Sequence, residues 1–244
     1  MQMTCFKKEE ETEETDNCEL LISYCYPKNF QMKTARAQVA ILKEADIFSK
    51  MDFSEARKAA RGILLPKKAE GFAVIPKFTL VSDLYFEALK IMLDALKRKI
   101  NCFYDFLSYK IDYERLAFDT RTKNVLQRIF TNERTNFICL PIQLGKAYKA
   151  SLTHGTVISC LAKGEFLLDA FSLACIFYCH PEMILSHRHL GIECFGTKIA
   201  DEKETRRFSS NVFFHCNEFG NLIVGTKKDY IPYPGYYVAT GFAV

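Results

Sequence analysis

Gly191-Ile-Glu-Cys-Phe-Gly-Thr197, followed by Val212-Phe-Phe-His-Cys216-Asn-Glu-Phe-Gly-Asn221-Leu-Ile-Val-Gly225, is the stretch that decides the fold class. Ile192, Cys194 and Gly196 alternate with Glu193, Phe195 and Thr197, and Val212, Phe214 and Cys216 alternate with Phe213 and His215. A two-residue period sends alternate side chains to opposite faces of a strand. Asn217-Glu-Phe-Gly-Asn221 has the composition of a hairpin loop, and Tyr236 to Val244 reads as a closing strand. The last quarter of the chain is therefore expected to be a β-meander.

Towards the amino terminus the period lengthens. Ser82 or Asp83 caps a helix on which Leu84, Ala88, Ile91 and Ala95 trace one face, broadened by Leu89, Met92, Leu93 and Leu96. It closes in Lys97-Arg98-Lys99, cations that suit the negative end of a helix dipole. Ala35, Val39, Leu42 and Ala45 mark an earlier helix between Gln31 and Ser49. Asp52-x-x-Glu55 opens another that reaches Leu64, before Pro66. A further helix is expected from Lys123 to Phe130, and a second buried one from Glu165 to Cys179 after Gly164. Pro181 then stands at the first position of a following helix, with Glu182 in its first turn. Leu20 to Tyr26, Phe72 to Ile75, Arg115 to Phe118, Asn136 to Gln143 and Thr156 to Leu161 read as strands. Helices early and antiparallel strands late give an α+β fold: a helix-rich first half packed on a mixed or antiparallel sheet.

The 244 residues carry 33 bases and 29 acids, a formal charge of +4, with 49% hydrophobic and 25% charged side chains. That composition excludes collagen, coiled coil, wholesale disorder and a membrane bundle. The total conceals an asymmetry. Residues 1–19 hold two bases and seven acids, which leaves the remainder with a surplus of nine positive charges. Lys7 to Asp16 has no apolar side chain, so residues 1–19 read as a disordered acidic tail and 20–244 as one domain. Met1 to Glu10 lacks the apolar core of a secretory signal. The longest apolar stretch, Phe166 to Cys179, is broken by Asp169 and Ser172 and is shorter than the roughly 20 residues a bilayer requires.

Ten cysteines are irregularly spaced and mostly set in apolar strings, which fits reduced thiols better than a disulfide framework. A cytoplasmic compartment is expected, or delivery to another cytosol by a signal-less route. The densest reactive cluster is C-x3-C-H-x6-H-x-H-x4-C, through Cys175, Cys179, His180, His187, His189 and Cys194. Thiolates and imidazoles could hold zinc, although the usual structural pair is C-x2-C. For thiol catalysis, Cys160, Cys179 and Cys216 are candidate nucleophiles, His154, His180 and His215 candidate bases, and Asp169 a candidate orienting acid. No phosphate-cradling glycine loop, nucleophile elbow or H-E-x-x-H motif occurs, and no cofactor is expected.

Two surfaces could bind partners. Arg57, Lys58, Arg61, Lys67 and Lys68, with Arg121, Lys123, Arg128 and Arg134, form basic stretches that could meet nucleic acid. The tyrosine-rich end, containing Tyr233, Tyr236 and Tyr237, could dock a protein, since aromatics are enriched at interface hot spots.

Glu165-Phe-Leu-Leu-Asp-Ala-Phe-Ser-Leu-Ala, His180-Pro-Glu-Met-Ile-Leu and the strand-rich close resemble the carboxy-terminal half of an uncharacterised bacterial domain-of-unknown-function family. That family has a His-Pro-Glu-x-Leu turn after a helix and short strands beyond it. The resemblance covers the last third of the chain. The sequence has no tryptophan, where the final strands of that family carry them. The resemblance implies a fold and no site residues. The expected function is a non-enzymatic protein-interaction module, an adaptor, regulator or host-directed factor of bacterial origin, with another protein as partner. The alternatives are a cysteine- or zinc-dependent enzyme centred on residues 175–194 and a nucleic-acid-binding protein using the basic body.

Overall fold

The computed structural model describes residues 30–52, 64–133, 136–148, 153–201, 204–228 and 236–243. Its helices are α1 (Ala35–Glu44), α2 (Tyr85–Lys99), α3 (Thr120–Glu133), α4 (His154–Cys160), α5 (Ala170–Cys179) and α6 (Pro181–Leu185). Its strands are β1 (Gly71–Pro76), β2 (Phe103–Asp105), β3 (Leu116–Phe118), β4 (Phe137–Gln143), β5 (Glu165–Leu167), β6 (Gly191–Asp201), β7 (Glu204–Cys216), β8 (Leu222–Lys228), β9 (Tyr236–Val238) and β10 (Thr240–Phe242). One antiparallel sheet has the order β1-β4-β10-β5. The second has the order β2-β8-β7-β6-β3, with β2 parallel to β8, and β9 parallel to β6. Consecutive strands β6, β7 and β8 pair antiparallel, so the late β-meander and the α+β class are both present.

Helix α5 lets the two sheets share a core. It is apolar on every side and all ten of its residues are buried. It packs on α1, α2 and β1 and also on β6 of the second sheet. Phe177 meets Phe214 of β7 with ring centroids 5.2 Å apart, and burying each such ring is worth roughly 1.5–3 kcal/mol. Gln38, fully buried on α1, fixes that helix to β1. Its amide donates to the carbonyls of Lys33 and Phe72, both at 2.7 Å, and accepts from the Val74 N–H at 2.9 Å. Every polar atom of a buried amide needs such a partner.

Pro141 sits inside β4 without an N–H to contribute. Strand β10 tolerates it by pairing with β4 only at Ile142 and Gln143.

Several sequence expectations are corrected. Thr156 to Leu161 is helix α4, not a strand. Thr156, Val157 and Ile158 are β-branched, but Thr153 caps them by accepting the Thr156 N–H. One side of the turn then packs Val157 with Ile158 and Leu161 on Tyr148, Leu167 and Phe195. The Cys160 carbonyl at the end of α4 lies 3.0 Å from the Tyr148 hydroxyl and accepts from the Lys68 ammonium at 3.4 Å, satisfying one of the terminal acceptors.

The buried helix expected from Glu165 starts at Ala170. Asp169 is its cap, accepting the Ser172 N–H at 3.1 Å, and Glu165–Leu167 pair with β10 instead. Helix α2 likewise begins at Tyr85 with Leu84 at the cap position, while the Ser82 hydroxyl accepts the Leu84 N–H and donates to Glu87. The single closing strand is two strands. Tyr236–Val238 joins the second sheet and Thr240–Phe242 the first. In β6 the alternation does not separate wet from dry, because Glu193, Phe195 and Thr197 are as buried as Ile192 and Cys194. The tail at 1–19, the strand at Leu20–Tyr26 and most of the helix expected after Asp52 lie outside the described residues.

Candidate functional site

The cysteine and histidine cluster falls on three elements. Cys175 and Cys179 are on α5, His180 ends that helix, His187 and His189 lie in the turn after α6, and Cys194 is on β6. Among the described residues no group of three or more His, Cys, Asp or Glu could hold a metal ion. Cys175, Cys179 and Cys194 are buried in the main apolar core. Burial pushes the Cys179 thiol up to about 12, and raises Cys175 and Cys194 well above the ordinary range, with the neighbouring Asp169 charge adding to both. The nucleophile and the metal ligand is the thiolate, so these environments hold the sulfurs in the inert form. Cys216 is raised by burial as well. Cys160 is exposed, contrary to its apolar context. None of the described cysteines forms a disulfide.

Asp169 does not orient His180. The two stand at opposite ends of α5, roughly 16 Å apart at 1.5 Å rise per residue. The Asp169 carboxylate is instead occupied locally. It accepts from the Tyr85 hydroxyl at 2.9 Å and from the Ser172 N–H and hydroxyl. His180 is fully buried, with no hydrogen bond to either ring nitrogen. Its nearest charged neighbour is Glu182, 3.5 Å from Nδ1, which is itself paired with Lys33. Burial lowers the His180 pKa to about 4, with Lys33 acting in the same sense and Glu182 opposing.

Tyr237 is buried in the core, and Tyr236 is half-buried. Tyr236 stacks on His215 at 5.4 Å and 7° and meets Phe213 edge-on. Both therefore complete the second sheet through β9, and Tyr233 lies outside the described residues. Of the basic stretches, Arg57, Lys58, Arg61 and Arg134 lie outside the described residues, while Arg121, Lys123 and Arg128 are exposed along α3. Lys68 is exposed along its stem, while its ammonium donates to the Tyr148 hydroxyl at 2.9 Å and lies 3.7 Å from the buried Glu165 carboxylate.

A different aromatic segment reaches solvent. From Phe103 to Tyr113 the chain carries Tyr104 (51% exposed), Phe106 (50%), Tyr109 (68%) and Tyr113 (79%). Phe103, Leu107 and Ile111 of the same segment are buried and anchor it to the core. In β2 the alternation is the ordinary strand period, with Phe103 inward and Tyr104 outward, and Phe106 just past its end is outward as well. Two aspartates fix the turns that follow. Asp105 Oδ1 accepts the Leu107 and Ser108 N–H groups at 2.8 Å, and Asp112 Oδ1 accepts those of Glu114 and Arg115 at 2.9 and 2.8 Å. The four rings are thus held outward by a pinned backbone. Strand β2 is also the outer strand of its sheet, so one side of its backbone has no strand neighbour among the described residues.

The sequence reading missed this segment. Its signal was five aromatics within eleven residues, Phe103 to Tyr113, but the spacing alone does not tell which rings are anchors. Comparison of the chain with family models, with curated proteins and with solved structures returns no match.

Proposed function

We propose that the chain is a protein-interaction module that docks a partner protein on β2 and the turns after it. The observation that carries this reading is the outward set Tyr104, Phe106, Tyr109 and Tyr113 on a backbone pinned by Asp105 and Asp112. Summed over the four residues the exposed area is on the order of 500 Å², and apolar surface of that order is often an interaction site. Aromatics on rigid backbone bind with little loss of rotamer freedom, and an open strand edge can add a partner strand. The buried, protonated thiols of residues 175–194 lend nothing to the alternative of cysteine or zinc chemistry.

The test is comparative capture with the native chain and a variant carrying Tyr104→Ser, Phe106→Ser, Tyr109→Ser and Tyr113→Ser. A protein recovered in stoichiometric amount by the native chain should be lost with the variant, whose far-UV spectrum and melting temperature stay the same. Recovery of the same proteins by both chains, or of none by either, refutes the reading.

A further inference from the structure

We propose that the cavity between α3, the end of β1 and the start of α5 binds a small aromatic acid, with its rings inside and its acid group at the rim. The cavity encloses about 290 Å³, far more than the voids of a packed interior and near the lower end of ligand pockets. Its walls are aromatic: Phe78 from the turn after β1, Phe118 from β3, Phe130 from α3 and Phe171 from α5. Offset and edge-on contacts with such rings favour a flat, apolar ligand body.

The polar groups lining the cavity are segregated by depth. Asp169 and Ser172 are 1% and 2% exposed and lie at the inner end. Lys123 is exposed, and Lys77 is half-buried with its ammonium 6.0 Å from the Phe130 ring centroid. Asp169 presents acceptor oxygens, which reject an acid group from the inner end. The two ammonium groups at the outer end attract one. A neutral ring compound would leave both cations without a counter-charge, and a cationic one would meet them at the entrance.

The inner wall is already fixed without a ligand. Tyr85 stacks on Phe118 at 4.5 Å and 12°, donates to Asp169 and lies 2.8 Å from the Thr197 hydroxyl. Thr197 in turn accepts the Ala170 N–H at 2.9 Å. Walls of this kind need no reordering on binding, which conserves affinity.

Naphthalene-2-carboxylate and its neutral carboxamide are suitable probes. Isothermal titration calorimetry reads binding without an optical background, so a variant that introduces a tryptophan is compared directly with the native chain. Titration of the full chain should show one equivalent of the acid bound, with the carboxamide about tenfold weaker, the ratio expected for one charge-assisted contact. Replacing Lys77→Met and Lys123→Met together should bring the acid down to the affinity of the carboxamide. Thr79 lines the cavity and is exposed, so Thr79→Trp should block the entrance and abolish binding of both probes without unfolding the chain. The proposal is overturned if the native chain shows no saturable binding or takes acid and carboxamide equally. It is also overturned if the lysine pair makes no difference or if binding survives Thr79→Trp.

Discussion

Lowering the pH from 7 to 4.5 should destabilise the fold through His180 in particular. The ring is fully buried without a hydrogen bond and its pKa falls from 6.5 to about 4. Between those two values the unfolded chain binds one proton more than the folded chain, so stability rises with pH across the window and is lost on acidification. At pH 4.5 the unfolded imidazole is almost wholly protonated and the folded one mostly neutral, which corresponds to a loss of about 2 kcal/mol relative to pH 7. That is a substantial part of a stability of roughly 5–15 kcal/mol. The perturbation that isolates it is His180→Met, a flexible apolar side chain that can keep contact with Phe30, whose ring lies 5.6 Å from the imidazole. Urea unfolding followed by far-UV circular dichroism at pH 7.0, 5.5 and 4.5 supplies the free energies. The variant should match the native chain at pH 7 or exceed it, since it removes a buried Nε2 without a hydrogen bond and an Nδ1 that approaches Glu182 only at 3.5 Å. Its decline towards pH 4.5 should be shallower by about 2 kcal/mol, the remainder coming from carboxylates common to both chains. Equal decline in the two chains would refute the reasoning.

Two further outcomes follow from packing. Gly196→Ala should cost about 3 kcal/mol or prevent folding, because its Cβ would lie 2.7 Å from the backbone carbon and oxygen of Leu168. Gly155→Ala, on helix α4 with nothing within 4 Å, should instead stabilise by about 0.5–1 kcal/mol; thermal unfolding of the two variants checks both signs. Under mild alkylation of the native chain, exposed Cys102 and Cys160 should be modified first among the described cysteines, while Cys175, Cys179 and Cys194 react only on unfolding. Peptide mapping by mass spectrometry reads the order, and early labelling of Cys179 would contradict its burial.

Local pattern carried much of the fold. The helical stripe of Leu89, Met92, Leu93 and Leu96 is the buried face of α2, and Val212, Phe214 and Cys216 are the buried face of β7. Legibility ended where distant groups decide. Thr156 to Leu161 has strand propensity, but the cap at Thr153 and contact with Phe195 select a helix. Glu165 would suit a helix start by propensity, yet its carboxylate collects the hydroxyls of Tyr148 and Thr240, which holds the segment in the sheet. The burial of Glu193 and Thr197 had no sequence signal either, because the outer face of β6 is covered by elements far away in the chain. The burial of the carboxy-terminal tyrosines had the same long-range origin. Both aromatic stretches, 103–113 and 230–244, hold five aromatic residues, and the pairing of β9 with β6 is what buries Tyr237 and half-buries Tyr236.

Gly196 explains why the second sheet can carry two independent surfaces. Between Cys194 and Lys198 strand β6 shifts register against β7. There the Gly196 N–H donates to the Leu168 carbonyl and its own carbonyl accepts the Asp119 N–H, both at 2.9 Å. The strand thereby grips the chain just before α5 and just before α3, the two helices that wall the cavity. That attachment lies at the β6–β3 side of the sheet, whereas the exposed rings start on β2 at the opposite edge. Four strand spacings separate β2 from β3, roughly 19 Å, and a hydrogen-bonded sheet fills the interval. Substitutions at that distance with no shared neighbours usually act additively. Loss of the rings at 104, 106, 109 and 113 should therefore leave the affinity for naphthalene-2-carboxylate unchanged, and loss of Lys77 and Lys123 should leave protein capture unchanged. The docking edge and the acid pocket thus stand or fall separately.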